Sequence, residues 1–545
     1  MTHETEPQTL YAAFLAAADR LGRAPFLCTP PDPLYADRAQ PVEFAYDTAR
    51  ERILELRRFY EQSGIGVGHR AALLFGNHPD YFLHLLALNG LGASVVPINP
   101  DSTADEIAYL LEHSEADFAV ARAGKAEDLA GVSRHLAEPV PVYVAGDLPE
   151  RLSVRRAPAL GLAPQRQSEA LLLYTSGTTG RPKCCIISNQ YCFVAAQWYL
   201  SLGGKLTITL GSERLLNPLP IHHMNAGILS FMVMVLSGGC LILPDRFHPR
   251  RWWQDVAATQ ATIIHYLGIM PPLLLKQEPL IEERQHRIKF GVGAGVDPEL
   301  HAAFEQRFHF PLIEVWGMTE TGRILSDNFE PRRVGTRAFG RPTSGLEACV
   351  VDDSDRPVPP GQPGELLVRM AGPDLRHGFF SGYLKDSAAT EDVWRGGWFH
   401  TGDVVRQDPD GMLYFVERKK NIIRRSGENI AAAEVEAAII THAAVLAVAV
   451  MPIADELRDE EVMACIVVAP GVALDRATAA SIFAHCSQHL AYFKAPGWIV
   501  FRSSLPTTTT NKVQKRLIFS PDENPCTTPS SFDFRQEKRR PGSAA

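Results

Sequence analysis

LLLYTSGTTGRPK (171–183) joins an apolar segment to a loop of small polar residues that ends in a lysine. The apolar segment predicts a buried strand. The small residues after it let the backbone approach a polyanion, their N–H and hydroxyl groups can donate to phosphate oxygens, and Lys183 supplies a cation. A flexible Ser/Gly linker would need neither the strand before the loop nor Pro-Lys after it. The stretch therefore predicts a phosphate-binding loop, and the missing G-x-x-x-x-G-K-[ST] spacing excludes a Walker loop.

Helical and strand patterns alternate before this loop, and a second series of the same kind runs over 171–315. Helices are predicted over 49–62, 81–90 and 105–112, and strands over 70–75, 93–98 and 118–121. Alternation at this spacing is typical of right-handed β-α-β units and a largely parallel sheet covered on both faces.

The pattern changes near Gly335, where turn-rich and strand-rich text over 335–415 predicts a small antiparallel β unit. An α+β segment follows, with helices over 432–441 and 474–490 and strands over 446–451 and 463–469. From Pro521 the chain lacks an apolar period, which predicts disorder. The fold class is thus α/β: a large N-terminal region of α/β subdomains with mainly parallel sheets and the antiparallel unit, then a small α+β C-terminal domain.

Composition narrows the possible partners and compartments. The chain has 545 residues, 54 Lys+Arg against 62 Asp+Glu and a net charge of −8, which argues against nucleic acid as the main partner. Nine scattered cysteines without a CxxC pair favour a reducing compartment and exclude a disulfide framework. The first ten residues lack a secretory pattern. We expect a cytoplasmic protein.

One uncharged stretch, 226–244, approaches the length of a membrane span. Ser230, Ser237 and the pair Gly238-Gly239 interrupt it. The stretch is therefore interpreted as a buried helix, a turn and a short buried strand, without membrane insertion.

TSGTTGRPK resembles the phosphate loop of the adenylate-forming superfamily, which includes acyl- and aryl-CoA ligases, luciferases and peptide-synthetase adenylation domains. The family's other motifs follow in order: WGMTET (316–321), GEL (364–366), GWFHTGD (397–403), ERKK (417–420) with SGENI (426–430), and LP (505–506) with NKVQK (511–515). The resemblance covers about 10–518. It is most similar to bacterial acyl-CoA synthetases, and EVWGMTETG and TNKVQK favour the carnitine/crotonobetaine type.

The resemblance implies three segments with separate roles. Residues 1–419 would form an N-terminal adenylation domain with the ATP and acyl pocket. Residues 420–520 would form a mobile C-terminal lid that carries the catalytic lysine, and 521–545 a disordered tail. Lys420 would be the hinge about which the lid rotates between two half-reactions.

Adenylation is attack of a carboxylate oxygen on the α-phosphate of ATP, and charge accumulates on the phosphate oxygens. The resemblance makes Lys512 the catalytic cation that bridges carboxylate and α-phosphate, with Lys515 only supporting. It makes Glu320 the magnesium ligand, Thr319 its phosphate-contacting partner and His223 the residue that gates the carboxylate pocket. Local sequence alone leaves Lys512 as an exposed lysine and Glu320 as part of a helix start.

Nucleotide and CoA contacts are implied in the same way. Asp403 would accept both ribose hydroxyls, with Arg418 as its helper, although locally Asp403 also suits a turn. Ser426, Gly427 and Glu428 would line the pantetheine tunnel. The residues that complete the ATP-binding set are Thr175, Ser176, Gly177, Thr178, Thr179, Gly180, Lys183, Gly293, Ala294, Gly295, Trp316, Gly317 and Met318.

Three positions depart from the family pattern. Cys184 replaces the glycine that normally follows the loop lysine, Asn189 stands where histidine is usual, and Asn511 replaces the glycine before Lys512. None of the three changes deletes a charged catalytic group.

The function implied is an ATP-dependent carboxylate–CoA ligase that uses ATP, Mg²⁺, CoA and a small carboxylic acid, as a monomer or homodimer. The alternatives are an adenylating enzyme with another acceptor (a carrier protein or an amine), one with a non-carboxylate substrate, and a nucleotide-binding regulator. An amino-acid-activating domain usually has an aspartate in the segment equivalent to 220–225, and none is present here.

Overall fold

Mainly parallel sheets make up most of the larger of two structural units, which runs to Glu417. The smaller unit begins at Arg418 and also takes in Asp101–Leu110 and Tyr174–Lys183. The computed structural model describes residues 6–32, 40–157, 162–175, 182–343, 345–418, 422–506, 513, 515–520 and 522–538. Within these ranges, no helix combines the length and the apolar character that a bilayer crossing requires.

The helices are α1 (Leu10–Leu21), α2 (Tyr46–Gln62), α3 (Pro79–Asn89), α4 (Ala104–Ser114), α5 (Ala123–Ser133), α6 (Asn189–Ser201), α7 (Phe231–Ser237), α8 (Trp252–Thr259), α9 (Met270–Leu275), α10 (Pro298–Phe308), α11 (Ser387–Val393), α12 (Ala432–Ile439) and α13 (Arg476–His489). A π-helix, Asn225–Ser230, precedes α7. Capping side chains fix several starts: Thr9 accepts from Ala12 N before α1, and Asp475 accepts from Thr478 N before α13.

The strands of the first half are β1 (Pro25–Thr29), β2 (Val42–Ala45), β3 (Arg70–Leu74), β4 (Ser94–Pro97), β5 (Phe118–Ala121), β6 (Val142–Val144), β7 (Glu169–Thr175), β8 (Lys183–Ser188), β9 (Arg214–Leu216), β10 (Cys240–Ile242), β11 (Ile263–Leu267) and β12 (Phe290–Ala294). Those of the second half are β13 (Leu312–Gly317), β14 (Ile324–Ser326), β15 (Ala338–Gly340), β16 (Leu346–Val351), β17 (Pro363–Met370), β18 (Gly382–Tyr383), β19 (Phe399–Gln407), β20 (Leu413–Arg418), β21 (Ile422–Arg425), β22 (Glu428–Ala431), β23 (Val445–Asp455), β24 (Asp459–Val468), β25 (Trp498–Phe501) and β26 (Ser531–Asp533).

Three sheets belong to the larger unit in the part of the chain that is described. One has the order β14-β13-β12-β11-β9-β10-β1-β2, and another has the order β18-β8-β7-β4-β3-β5-β6. Most neighbouring strands in both are parallel, as in the pairs β3–β4, β3–β5, β11–β12 and β12–β13. The third, β15-β20-β19-β17-β16, is built from antiparallel pairs such as β16–β17 and β17–β19. The predicted fold class is confirmed.

The uncharged stretch 226–244 folds as predicted. Most of the π-helix, then α7 and β10 occupy it, and Gly238 ends α7 in a left-handed conformation with φ of 76°. Phe231 and Met234 are fully buried, so the apolar run fills the core of the larger unit.

The predicted disorder of 521–545 is wrong for residues 522–538. In the smaller unit, β26 pairs antiparallel with β25, and the sheet order is β22-β21-β24-β25-β26 with β23 on β24. Phe534 is 2% exposed, and its ring stacks on Phe483 with centroids 4.9 Å apart. Phe532 and Phe534 pack into the core of the smaller unit. These two side chains order a segment that has no repeating pattern of apolar residues.

The departure at Asn189 has a structural explanation. Asn189 is 1% exposed at the first residue of α6, where its Nδ2 donates to Gln165 O at 2.9 Å. Its Oδ1 accepts from Asn89 Nδ2 at 2.8 Å and from Leu10 N at 3.4 Å. One buried amide therefore forms hydrogen bonds with α1, α3 and the segment before β7.

Substituting Asn189 by alanine is expected to lower the free energy of unfolding by about 1–3 kcal/mol, because buried donors and acceptors lose their partner. Urea unfolding followed by circular dichroism measures this. Gln197→Ala on the exposed side of α6 is the control and is expected to change stability by less than about 0.5 kcal/mol. Equal effects of the two changes would contradict the structural role of Asn189.

Candidate active site

The candidate site starts at the carboxyl ends of β12 and β13, which are parallel neighbours with Gly293 opposite Glu314. β12 ends with Gly293-Ala294 and is followed by Gly295, and β13 ends with Trp316-Gly317. Carboxyl ends of parallel strands lie at one edge of a sheet, where α/β proteins place their ligands. Gly293 has to be a glycine, because a Cβ there would lie 2.1 Å from the carbonyl oxygen of Tyr266.

Glu314 ties these two strand ends together. Its Oε1 accepts from Gly295 N at 2.5 Å, and its Oε2 accepts from Val296 N and from Tyr266 OH, each at 3.3 Å. Burial raises the pKa of Glu314 to about 7, although the backbone N–H groups oppose that shift. Sequence analysis missed this residue; the available signal was a carboxylate inside the apolar run LIEVW.

Asp403 lies in β19 of the antiparallel sheet and is 1% exposed. Its Oδ2 accepts from Trp316 Nε1 at 2.8 Å, so one hydrogen bond joins the end of β13 to β19. Thr401 supports this position, since its Oγ1 accepts from Asp403 N at 3.1 Å and donates to Leu366 O at 2.7 Å. The structure thus brings together the predicted residues Trp316 and Asp403.

Glu320 follows β13 and is 8% exposed. Its Oε1 accepts from Tyr383 OH at 2.8 Å, and its backbone oxygen accepts from Phe380 N at 2.9 Å. Burial, and then the charge of Glu320, raise the pKa of Tyr383, so this phenol stays a donor. Thr319 is fixed through its backbone oxygen, which accepts from Tyr191 OH at 2.7 Å. Neither tyrosine was anticipated, because both contacts join distant parts of the sequence.

A single carboxylate in this setting suits Mg²⁺. Hard cations prefer oxygen ligands, and Mg²⁺ is commonly held by one or two carboxylates together with substrate phosphates and water. Glu320 supplies one such oxygen donor, oriented by Tyr383. The residues therefore fit the predicted metal role of Glu320.

His223 lies in the turn before the π-helix, where its N–H donates to Pro220 O at 3.1 Å and its backbone oxygen accepts from Gly227 N at 2.9 Å. The next polar residue, Asn225, accepts through Oδ1 from Asn217 Nδ2 and from His265 Nδ1, each at 2.8 Å. Burial lowers the pKa of His265 to about 3, so this imidazole is neutral. The π-helix, a geometry often found at functional sites, is thus anchored by a buried polar network.

Several predicted residues lie outside the described ranges: Ser176, Gly177, Thr178, Thr179, Gly180, Lys420 and Lys512. The ends of the phosphate loop are described, and Thr175 Oγ1 donates to Lys183 O at 3.5 Å. Met318 packs against the core of the larger unit. Arg418 ends β20.

Ser426, Gly427 and Glu428 belong to the smaller unit, at the turn between β21 and β22. Arg425 pairs with Glu428 across this turn, which leaves Ser426 and Gly427 as a two-residue loop. Of the three departures from the family pattern, Asn511 lies outside the described residues. Cys184 is a buried residue of β8, and Asn189 is buried at the start of α6.

The fold and site define an adenylate-forming enzyme. The model of the family "AMP-binding enzyme" matches residues 26–384, and the model of its C-terminal domain matches residues 434–512. The first match covers more than half of the chain, and the chain therefore belongs to the AMP-binding enzyme family.

Among curated proteins, the sulfoacetate–CoA ligase of Cupriavidus necator is 30% identical over 535 residues, 94% of this chain and 99% of that protein. The crotonobetaine/carnitine–CoA ligase of Citrobacter koseri is 30% identical over 490 residues, 87% of this chain and 92% of that protein. Among solved structures, the o-succinylbenzoate–CoA synthetase of Bacillus subtilis, bound with a product analogue, has a TM-score of 0.78 and 23% identity, covering 93% of this chain and 98% of that one. The last likeness supports the fold.

Glu314 predicts a pH dependence of stability. Its pKa is about 7 in the folded protein and about 4.5 when unfolded. Between these values the unfolded chain binds fewer protons, so the residue makes stability fall as pH rises. Relative to Glu314→Gln, the wild type should lose about 1–3 kcal/mol of unfolding free energy between pH 5 and pH 8.

Urea unfolding of both proteins across this pH range measures the difference. Glu299→Gln makes the same change at an exposed position of α10 and is the matched control. The same pH profile in Glu314→Gln and Glu299→Gln would mean that the Glu314 carboxyl titrates normally in the folded state.

Proposed function

We propose that the chain is an ATP-dependent carboxylate–CoA ligase that releases pyrophosphate and forms a thioester through an acyl-adenylate. The observation that carries the proposal is the hydrogen bond from Trp316, at the carboxyl end of β13, to Asp403 of β19. It orients a carboxylate that can accept hydrogen bonds from two ribose hydroxyls. The relatives that span nearly the whole chain are CoA ligases.

In the first half-reaction, a carboxylate oxygen of the acid attacks the α-phosphorus of ATP and the bond to pyrophosphate breaks. Lys512 stabilises the charge that develops on the phosphate oxygens, and the loop from Thr175 to Lys183 binds the triphosphate. Glu320 would hold Mg²⁺, which would neutralise phosphate charge when bound. The adenine and the acyl group lie between Gly293-Ala294-Gly295 and Trp316-Gly317 in this proposal.

In the second half-reaction, the CoA thiolate attacks the acyl carbonyl, the thioester bond forms and AMP leaves. We assign residues 1–419 to the adenylation domain and 420–520 to a lid that turns about Lys420. This rotation of the lid removes Lys512 and brings Ser426, Gly427 and Glu428 to the pantetheine. One site can then serve both reactions in sequence.

The acid is proposed to be short and to carry a second polar or charged group. Both curated relatives act on such acids, to judge by their names. In this chain, Asn225 presents its Oδ1 to Asn217 and His265, which orients its Nδ2 donor away from that network. A donor in the segment gated by His223 suits an oxygen acceptor on the acid. A cytoplasmic location belongs to the same proposal, supported by nine free cysteines.

Pyrophosphate release is the test, measured across aliphatic, aryl, amino, betaine-like and sulfonated acids with and without CoA. Release should depend on the acid and rise with CoA, with the thioester seen by mass spectrometry. Lys512→Ala should lower adenylate formation at least about 100-fold, since it removes charge stabilisation from the transition state.

Lys515→Ala is the matched lysine control. Lys515 Nζ donates to Val450 O at 2.6 Å and lies 2.8 Å from Glu436 Oε1, so its amine is engaged in the smaller unit and its loss should cost far less. Acid-dependent release without a thioester would indicate another acceptor. No release with any acid would refute the proposal.

Glu320→Gln should raise the Mg²⁺ concentration for half-maximal adenylation by about tenfold or more, because a neutral amide binds a hard cation poorly. Titration of Mg²⁺ in a pyrophosphate-exchange assay measures the shift. Glu391→Gln is the control, since Glu391 is exposed and pairs with Arg376. An unchanged Mg²⁺ requirement in Glu320→Gln would remove Glu320 from the metal site.

A further inference from the structure

A lysine with a buried side chain lies in the C-terminal segment that was expected to be disordered. The side chain of Lys538 is 0% exposed, and its Nζ donates to Glu461 Oε1 at 2.5 Å. Burial, and then the charge of Arg425, lower the pKa of Lys538 to about 7. Its amine donates a hydrogen bond in either protonation state. Burying a lysine is costly, so this position calls for an explanation.

Glu461 connects Lys538 to the β21 strand. The carboxylate is also 0% exposed, and it accepts from Arg425 Nε at 2.9 Å and 2.8 Å through its two oxygens. It further accepts from Val462 N at 2.8 Å. Arg425 already places an opposite charge beside Glu461, and Lys538 adds a further donor to the same carboxylate.

Arg425 is the last residue before the turn that carries Ser426 and Gly427. Both turn residues have positive φ, 49° for Ser426 and 89° for Gly427, as in a type I′ hairpin turn. Such turns favour Asn or Gly at the first position, and serine there is held by its surroundings. Ser426 N donates to Arg458 O at 3.0 Å, and Arg458 Nε lies 3.9 Å from Glu461.

The segment after Pro521 reaches Glu461 along a defined path. Phe534 N donates to Gly497 O at 2.8 Å, and Arg535 bonds Asp455 at 3.0 Å. A Cβ at Gly497 would lie 2.4 Å from Glu461 Cγ, so this glycine lets Glu461 lie against the backbone. Residues 522–538 therefore belong to the same packed cluster as the base of the turn.

We propose that Lys538 is a positioning residue for the CoA half-reaction: through Glu461 and Arg425 it sets the geometry of the Ser426–Gly427 turn. The inference rests on the proposed function, which gives this turn to pantetheine. Lys538 contacts neither substrate nor reacting atoms in this scheme. Its loss affects the second half-reaction and spares adenylation, which depends on Lys512.

The test is Lys538→Met, which keeps the length of the side chain and removes the donor. Adenylation is measured by acid-dependent pyrophosphate exchange, and thioester formation by its kcat and KM for CoA. We expect kcat/KM for CoA to fall about tenfold while pyrophosphate exchange stays within about twofold. Arg476→Ala is the control, because Arg476 binds the same segment through Glu537 at 2.8 Å without touching Glu461, and should change neither rate.

Hydrogen exchange of the peptide 422–431 gives a readout that needs no activity. The amides around Ser426 should exchange about tenfold faster in Lys538→Met than in the wild type, and at the wild-type rate in Arg476→Ala. Equal loss of both half-reactions in Lys538→Met would overturn the inference. Unchanged hydrogen exchange together with unchanged CoA kinetics would overturn it as well. A wild type that forms no thioester would refute the proposed function instead, and faster exchange in Lys538→Met would still support the link from Lys538 to the turn.

Discussion

The hydrogen bond from Trp316 to Asp403 is the interaction on which the candidate nucleotide site depends. Asp403 is almost fully buried, and a buried carboxylate needs donors. The indole that meets this need ends β13, so satisfying the carboxylate also fixes the antiparallel sheet against the edge of a parallel one. The same edge is stiffened from the other side by Glu314, which accepts from the backbone just beyond β12. Two acidic residues, Asp403 and Glu314, thus fix the strand ends through hydrogen bonds to different partners.

Local patterns predicted the fold well because its strands are short and apolar and its helices amphipathic. The strand at 118–121 matches β5, and the helix at 49–62 lies within α2. Site residues in contiguous motifs, such as Trp316 and Asp403, could be named for the same reason. Tyr191 and Tyr383 could not, because each acts on the 319–320 segment from more than 60 residues away and no local pattern encodes that meeting.

The structure explains two of the departures from the family pattern, at Cys184 and Asn189, as residues of the packed interior. Next to a phosphate loop, Asn189 could have indicated altered chemistry. Its side-chain hydrogen bonds with Leu10, Asn89 and Gln165 give it instead a role in packing. Cys184 is likewise a buried residue of β8. Both changes are absorbed by the interior of the larger unit, and the charged residues at the strand ends keep their own contacts.

The misjudged C-terminal segment illustrates a limit of composition. Few apolar residues, spread among Pro, Ser and Thr, predict disorder when the segment is considered alone. Phe534 becomes ordered because Phe483 offers a face to stack on, and Lys538 because Glu461 offers a charge that is already buried. A segment that adds one donor to an existing Arg425–Glu461 pair can tighten a strained turn without changing the turn residues. Since Ser426 has a positive φ that its residue type does not favour, such support from outside the turn gives a physical reason for the Lys538 side chain to be buried against Glu461.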